Sequence, residues 1–227
     1  MLSTRARPPC PQRGLLRAPR LLVVPGLHDS GPAHWQTWLQ RLYRHSLRVQ
    51  QDDWHTPDLA RWSARITRTL NNAGPGPWLV AAHSFGCLAL LHHLARQQVL
   101  SQQAPVGRAG AHIAAVLLVA PAEPDRFGLA DALPQGPLPV MSTLVASETD
   151  PWMTAASARR WARRWGSHWV NLGDVGHINA EAGFGPLPYA RRWVLAMEQR
   201  LAREHRMADD PAPARLPAAA PDWRFAC

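Results

Sequence analysis

The sequence predicts an α/β domain in three layers, a mostly parallel central sheet with helices on both faces. Three observations carry that expectation. Short apolar runs alternate with longer amphipathic stretches, the order in which strands and crossover helices follow one another in a parallel sheet. Several of the runs are apolar throughout, as strands covered on both faces must be. The chain is 46% apolar and 18% charged, enough to close a core and too apolar for a disordered chain.

The elements follow in chain order. Leu21 to Val24 is the first strand; it ends at Pro25-Gly26 and leads through His28-Asp29-Ser30-Gly31-Pro32 into a helix over about 33–43, where Trp35, Trp38, Leu39 and Leu42 recur at helical spacing. A short strand at 47–49 precedes a polar loop and a helix over about 59–70, with Asp58 a candidate cap after Pro57. The Gly-Pro run at 74–77 stops that helix. Residues 78–82 form the next strand, and 87–94 are apolar enough for a helix buried against the sheet. Runs at 113–119 and 140–145 are further strands, a short one follows at 169–172, and helices at 154–165 and 187–205 complete the pattern. A length of 227 residues suits one domain, expected over 20–206. The Pro- and Arg-rich stretch 1–19 and the Ala/Pro-rich tail 207–227 lack patterned apolar content and are expected to be flexible extensions.

Composition narrows the function. No run approaches the roughly 20 apolar residues of a membrane span, and the first twenty residues carry no apolar block between their arginines and prolines, so neither a membrane partner nor a secretory signal is expected. Cys10, Cys87 and Cys227 are an odd, scattered set with no disulfide or zinc spacing, which fits a reducing cytoplasm. The net charge is +9, yet all 25 basic residues are Arg and none is Lys. The densest internal patch, Arg159, Arg160, Arg163 and Arg164 around Trp161 and Trp165, reads as a solvated helix face with its tryptophans turned inward. No nucleic-acid partner is expected. Neither HExxH nor paired cysteines occur, so no metal or other cofactor is expected either. Nothing in the sequence speaks to oligomeric state.

Residues 82–86 read AHSFG, between a predicted strand and a predicted helix. That is the setting of a nucleophile elbow, a serine on a tight turn that needs small neighbours two residues away on either side; Ala82, in place of the usual glycine, and Gly86 supply them. An ordinary helix cap is the plain alternative for Ser84. A serine hydroxyl is nearly unreactive at neutral pH and needs an imidazole to take its proton and an acid to orient that imidazole. In this topology they follow in the order Ser, Asp, His, from loops after later strands. Asp150, in SETDPW after the strand ending at Val145, is the natural acid, with Glu148 and Asp174 as competitors. His177, in a glycine-rich loop before the final helix, is the natural base. His92 and His93 lie too far into a helix, His112 precedes a strand, and His83 points away from where the serine Oγ is presented. The N–H of Phe85, at a helix N-terminus, is one candidate oxyanion donor and the N–H of Leu27 the other. His28 faces either substrate or water. Trp35, Trp152 and Phe184 flank the three loops and are candidate pocket walls, with core packing the competing role in a chain of eleven tryptophans.

From about residue 21 to 195 the chain resembles the small serine hydrolases that include retinoblastoma-binding protein nine and the bacterial YdeN proteins, a branch of the α/β-hydrolase superfamily. The resemblance rests on VPGLHDSGPAHWQTWL (24–39), QDDWHTPDLARW (51–62), AHSFGCLA (82–89), SETDPW (147–152) and GHINAEAGFG (176–185). It implies an α/β-hydrolase fold without a large cap domain and puts the family's catalytic residues on Ser84, Asp150 and His177. The expected activity is hydrolysis of a small-molecule acyl substrate, an ester, thioester or amide, through an acyl-enzyme on Ser84. A non-catalytic interaction module keeping the fold, or acyl transfer to an alcohol or amine, remain open alternatives. Asp52-Asp53-Trp54 is family-like, with packing or helix-start service its expected role.

Overall fold

In the computed structural model, which describes residues 18–103 and 110–209, the apolar runs become six strands: β1 (Arg20–Val24), β2 (Leu47–Arg48), β3 (Gly76–His83), β4 (Ala111–Val119), β5 (Met141–Ala146) and β6 (His168–Asn171). All pair in parallel, in the order β2-β1-β3-β4-β5-β6. The chain first steps from β1 outward to β2, then returns across β1 to begin β3 on its other side. That reversal opens a crevice beyond the C-terminal ends of β1 and β3, where open α/β sheets bind ligands.

Five helices cover the sheet: α1 (Trp35–Leu42), α2 (Leu59–Asn72), α3 (Phe85–Gln103), α4 (Ala155–Arg164) and α5 (Pro188–Asp209). Successive strand residues point to opposite faces, so β1 sends Leu21 and Val23 to one layer and Leu22 and Val24 to the other. Trp35 and Leu39 of α1 and Ala190, Trp193 and Val194 of α5 pack on the first face. Trp62 and Ile66 of α2, Leu88 and Leu91 of α3, Trp161 of α4 and Trp165 just after it pack on the second. The three-layer α/β-hydrolase architecture expected from the sequence is present, and no cap domain stands over the sheet among the described residues.

Local chemistry sets the helix starts. Asp58 accepts a hydrogen bond from the Arg61 N–H at 2.9 Å, and Thr154 caps α4 through the Ser157 N–H at 3.2 Å. α1 is capped by His34, whose Nδ1 accepts from the Gln36 N–H at 3.1 Å. α3 runs well past the expected end at Leu94, because that expectation followed the buried stripe, whereas the chain beyond it holds no glycine or proline until Pro105. Trp161 of α4 and Trp165 at its C-cap stack inward with centroids 5.0 Å apart, and Arg159, Arg160, Arg163 and Arg164 are exposed. The expected extensions, with Cys10 and Cys227, fall largely on residues 1–17 and 210–227, outside the described residues; α5 continues beyond the boundary expected at 206. Among the described residues no helix is long and apolar enough to cross a membrane.

Candidate active site

Val24 and Ala82 are register partners at the C-terminal ends of β1 and β3, so the loops leaving these strands start side by side. One leads into Ser84. Its φ is +52°, a left-handed conformation that costs a non-glycine residue about 1–3 kcal/mol and persists only where its surroundings enforce it. They do so here. The Ser84 N–H donates to the Val119 carbonyl at 3.2 Å, and the turn is pressed against the other loop. A Cβ on Gly26 would stand 2.7 Å from the Ser84 Cβ, and one on Gly86 2.6 Å from the Val24 carbonyl oxygen and closer still to that of Pro25.

His177 lies between Ser84 and Asp150. Its Nδ1 is 2.8 Å from Asp150 Oδ1 and its Nε2 is 2.9 Å from Ser84 Oγ. A carboxylate only accepts, so Nδ1 carries the ring proton and the Nε2 lone pair accepts from the serine hydroxyl. The side chains of His177 and Asp150 are 9% and 2% exposed, which shields the pair from water. Asp150 Oδ1 also accepts from the Trp152 N–H at 2.9 Å, fixing the carboxylate from its own loop. The competing acids are engaged elsewhere: Glu148 accepts from Asn171 Nδ2 and Asp174 from Thr149 Oγ1 at 2.6 Å. These contacts join the two loops. Ser147 Oγ donates to the Gly173 carbonyl and accepts from the Val175 N–H, while Thr149 Oγ1 accepts from the Gly176 N–H.

The β1–α1 loop is held as firmly. Arg48 donates to Asp29 Oδ1, the Ser30 carbonyl, Thr37 Oγ1 and Gln40 Oε1. The buried Gln36 amide donates to the carbonyls of Val24 and Ala81 and accepts from Ser30 Oγ at 2.6 Å. Leu27 lines the same cleft as Ser84 and Phe85 follows Ser84 in the chain, and neither amide N–H has an acceptor among the described residues. Phe85 opens α3, so its N–H is one of the unpaired donors at the positive end of a helix.

Ser84 and His177 open into a cleft of about 310 Å³. His28 and Trp152 line it. Trp35 and Phe184 do not: Trp35, the first residue of α1, is turned toward the sheet and fully buried, and Phe184 of the loop before α5 packs on the same core cluster. The cleft is also lined by His34, His83, Ala122, Phe127 and Glu181, which sequence reasoning did not place there. His83 had a legible signal. Strand alternation sends it to the face opposite Ala82, and there its Nε2 meets the His177 carbonyl at 3.0 Å. Burial, then the neighbouring Arg48, lowers the His34 pKa to about 4. Burial, then His177 and His34, pushes that of His83 well below the ordinary imidazole value. Both are neutral donors or acceptors at pH 7.

Asp52-Asp53-Trp54 serves the loop before α2. Asp53 accepts from the His55 N–H at 2.8 Å, Asp52 pairs with Arg65 at 2.9 Å, and Trp54 meets Trp62 edge-on at 5.6 Å. Among the described residues no group of three or more His, Cys, Asp and Glu side chains is placed to hold a metal ion.

A family model for serine hydrolases matches residues 21–196. The chain belongs to the serine hydrolase family. Among solved structures, this serine hydrolase is 39% identical to a YdeN-like hydrolase from Pectobacterium atrosepticum, with a TM-score of 0.70, covering 81% of this chain and 92% of that one. The ydeN gene product of B. subtilis is 18% identical with a TM-score of 0.60, covering 79% and 98%. The RedJ thioesterase of prodiginine biosynthesis in Streptomyces coelicolor is 14% identical with a TM-score of 0.51, covering 88% and 90%. The last two likenesses carry the fold alone. A search of curated proteins returns no match.

Proposed function

We propose that the protein hydrolyses small acyl substrates, an ester, thioester or amide, with Ser84 as nucleophile, His177 as general base and acid, and Asp150 as the group that orients His177. The observation that carries this reading is the unbroken hydrogen-bond chain from Ser84 Oγ through His177 to Asp150, 2.9 and 2.8 Å long, opening on a cleft beside two unpaired amides. His177 Nε2 takes the hydroxyl proton as Ser84 Oγ attacks the carbonyl carbon, and the carbonyl electron pair moves onto oxygen. The N–H groups of Leu27 and Phe85 stabilise that oxyanion. On its collapse His177 returns the proton to the leaving group. Water, deprotonated by the same imidazole, then attacks the acyl group on Ser84, releases the acid and restores the hydroxyl. Ala122, Phe127 and Trp152 offer the acyl group an apolar wall.

Ser84→Ala is expected to lower kcat on an activated ester by on the order of 10⁴ or more while the protein stays folded. A fluorophosphonate probe is expected to label the wild type at Ser84 and to leave the variant unlabelled. Folded wild type that neither takes up the probe nor turns over the ester would overturn the reading in favour of a non-catalytic module.

A further inference from the structure

The residue before the nucleophile reaches across the site to the backbone of the base. His83 Nε2 is 3.0 Å from the His177 carbonyl oxygen, and the His83 side chain is buried. A carbonyl oxygen only accepts, so Nε2 carries the proton. The carbonyl belongs to the peptide joining His177 to Ile178, and Ile178 has a φ of +50°. For a β-branched residue that is a true outlier, held only where the surroundings over-determine it. Ile178 is itself fully buried. Turning this peptide toward an ordinary negative φ would swing the His177 carbonyl off His83 and re-aim the imidazole, which has to keep Nδ1 on Asp150 and Nε2 on Ser84 at once.

The His83 ring has little freedom of its own. It stands 4.8 Å from the His177 ring and 4.8 Å, edge-on, from the His34 ring, with Trp35 also edge-on at 6.1 Å. His34 Nδ1 is occupied by the Gln36 N–H, so its proton sits on Nε2, a buried atom without a hydrogen-bond partner. Burial keeps His83 neutral, so the donor adds no positive charge beside the imidazolium that forms on His177 during turnover.

We propose that His83 is a positioning residue: its Nε2–H holds the His177–Ile178 peptide in the strained orientation that aims the imidazole at both Ser84 and Asp150. The proposal rests on the triad reading above. It predicts that what matters at position 83 is a donor at the reach of Nε2, not ring volume or polarity. The test compares His83→Gln, whose amide N–H extends to about that point, with His83→Asn, which is polar but too short, and His83→Phe, which keeps a ring without a donor. Asn and Phe are expected to lower kcat on an activated ester by about 10- to 100-fold with little change in KM, the cost of a base misplaced by a fraction of an ångström to an ångström. Gln is expected to restore most of the loss. Independently of turnover, NMR is expected to show the His177 Nδ1 proton exchanging with water faster in the Asn variant than in the Gln variant. Should the Phe variant not fold, the Asn and Gln pair decides. Equal kcat in those two, or equal exchange of the His177 proton, would overturn the proposal. A wild type inert toward fluorophosphonate would instead overturn the triad reading, and the exchange comparison would still test the link from His83 to His177.

Discussion

At the scale of single residues, Gly26 and Gly86, without any chemistry of their own, decide whether Ser84 can be presented. Gly86 lies where a Cβ would meet the backbone carbonyls of Val24 and Pro25, and backbone atoms at a strand end cannot rotate aside as a side chain does. Overpacking against such neighbours costs at the upper end of the usual range, so Gly86→Ala is expected to lose about 3 kcal/mol of stability in urea unfolding. Gly136, whose added Cβ would meet nothing within 4 Å, is the control, and its Ala variant is expected to stay within about 0.5 kcal/mol of the wild type. The AHSFG pattern made Gly86 legible, since an elbow demands a small residue there. The atoms it approaches were not, because backbone carbonyls carry no residue identity. For the same reason the contact of His83 with the His177 carbonyl is not legible in the sequence, although strand alternation already sends His83 away from the Ser84 hydroxyl.

At the scale of elements, the alternation of apolar runs and amphipathic stretches is enough to read every strand and α-helix among the described residues, but not the short 3-10 helices Pro124–Phe127 and Ala130–Ala132, which are too short to show a period. Helix ends were read less well, since α3 continues on polar residues once its buried stripe is spent. The directions of Trp35 and Phe184 depend on how α1 and the loop before α5 are phased against the sheet, which spacing along one segment does not reveal. The β5–α4 loop shows how a segment sorts similar side chains. Glu148, Asp150 and Asp174 all stand on the two loops beside His177, and the cross-links from Ser147 and Thr149 to residues 173–176 leave Asp150 on the imidazole. Asp150→Asn is therefore expected to favour the wrong imidazole tautomer and lower kcat by about 10⁴. Glu148→Gln, which alters only the contact with Asn171, is expected to keep kcat within about threefold. Steady-state kinetics on one activated ester separates the two. Comparable losses in both variants would mean that the loop as a whole, and not one carboxylate, governs the base.

At the scale of the whole molecule, buried imidazoles tie stability to pH. His34, His83 and His93 are each about nine-tenths buried or more. Burial lowers the pKa of His34 and of His93 to about 4, aided by Arg48 in the first case and by His92 and Arg96 in the second; His83 shifts in the same direction. In the unfolded chain each would titrate near 6.5. Between that value and about 4 the unfolded state binds more protons than the folded one, so stability rises with pH across the window and falls as pH drops through it. Above about pH 7 both states are neutral at these positions and the contribution is flat. Each histidine that stays neutral in the fold adds a slope of about 1.4 kcal/mol per pH unit in the middle of the window. Urea unfolding from pH 7.5 to 4.5 should therefore show a plateau followed by a steep decline. His93 offers the cleanest separation of this effect from chemistry, because it stands more than two turns along α3 from Ser84, bonded to Thr67 Oγ1 of α2 at 3.0 Å, and does not line the cleft. His93→Gln keeps a polar partner for Thr67 and removes one titrating group. It is expected to lessen the decline by roughly one proton's worth of slope while ester hydrolysis at pH 7.5 is unchanged. A decline as steep as in the wild type would show that other groups carry the acid sensitivity.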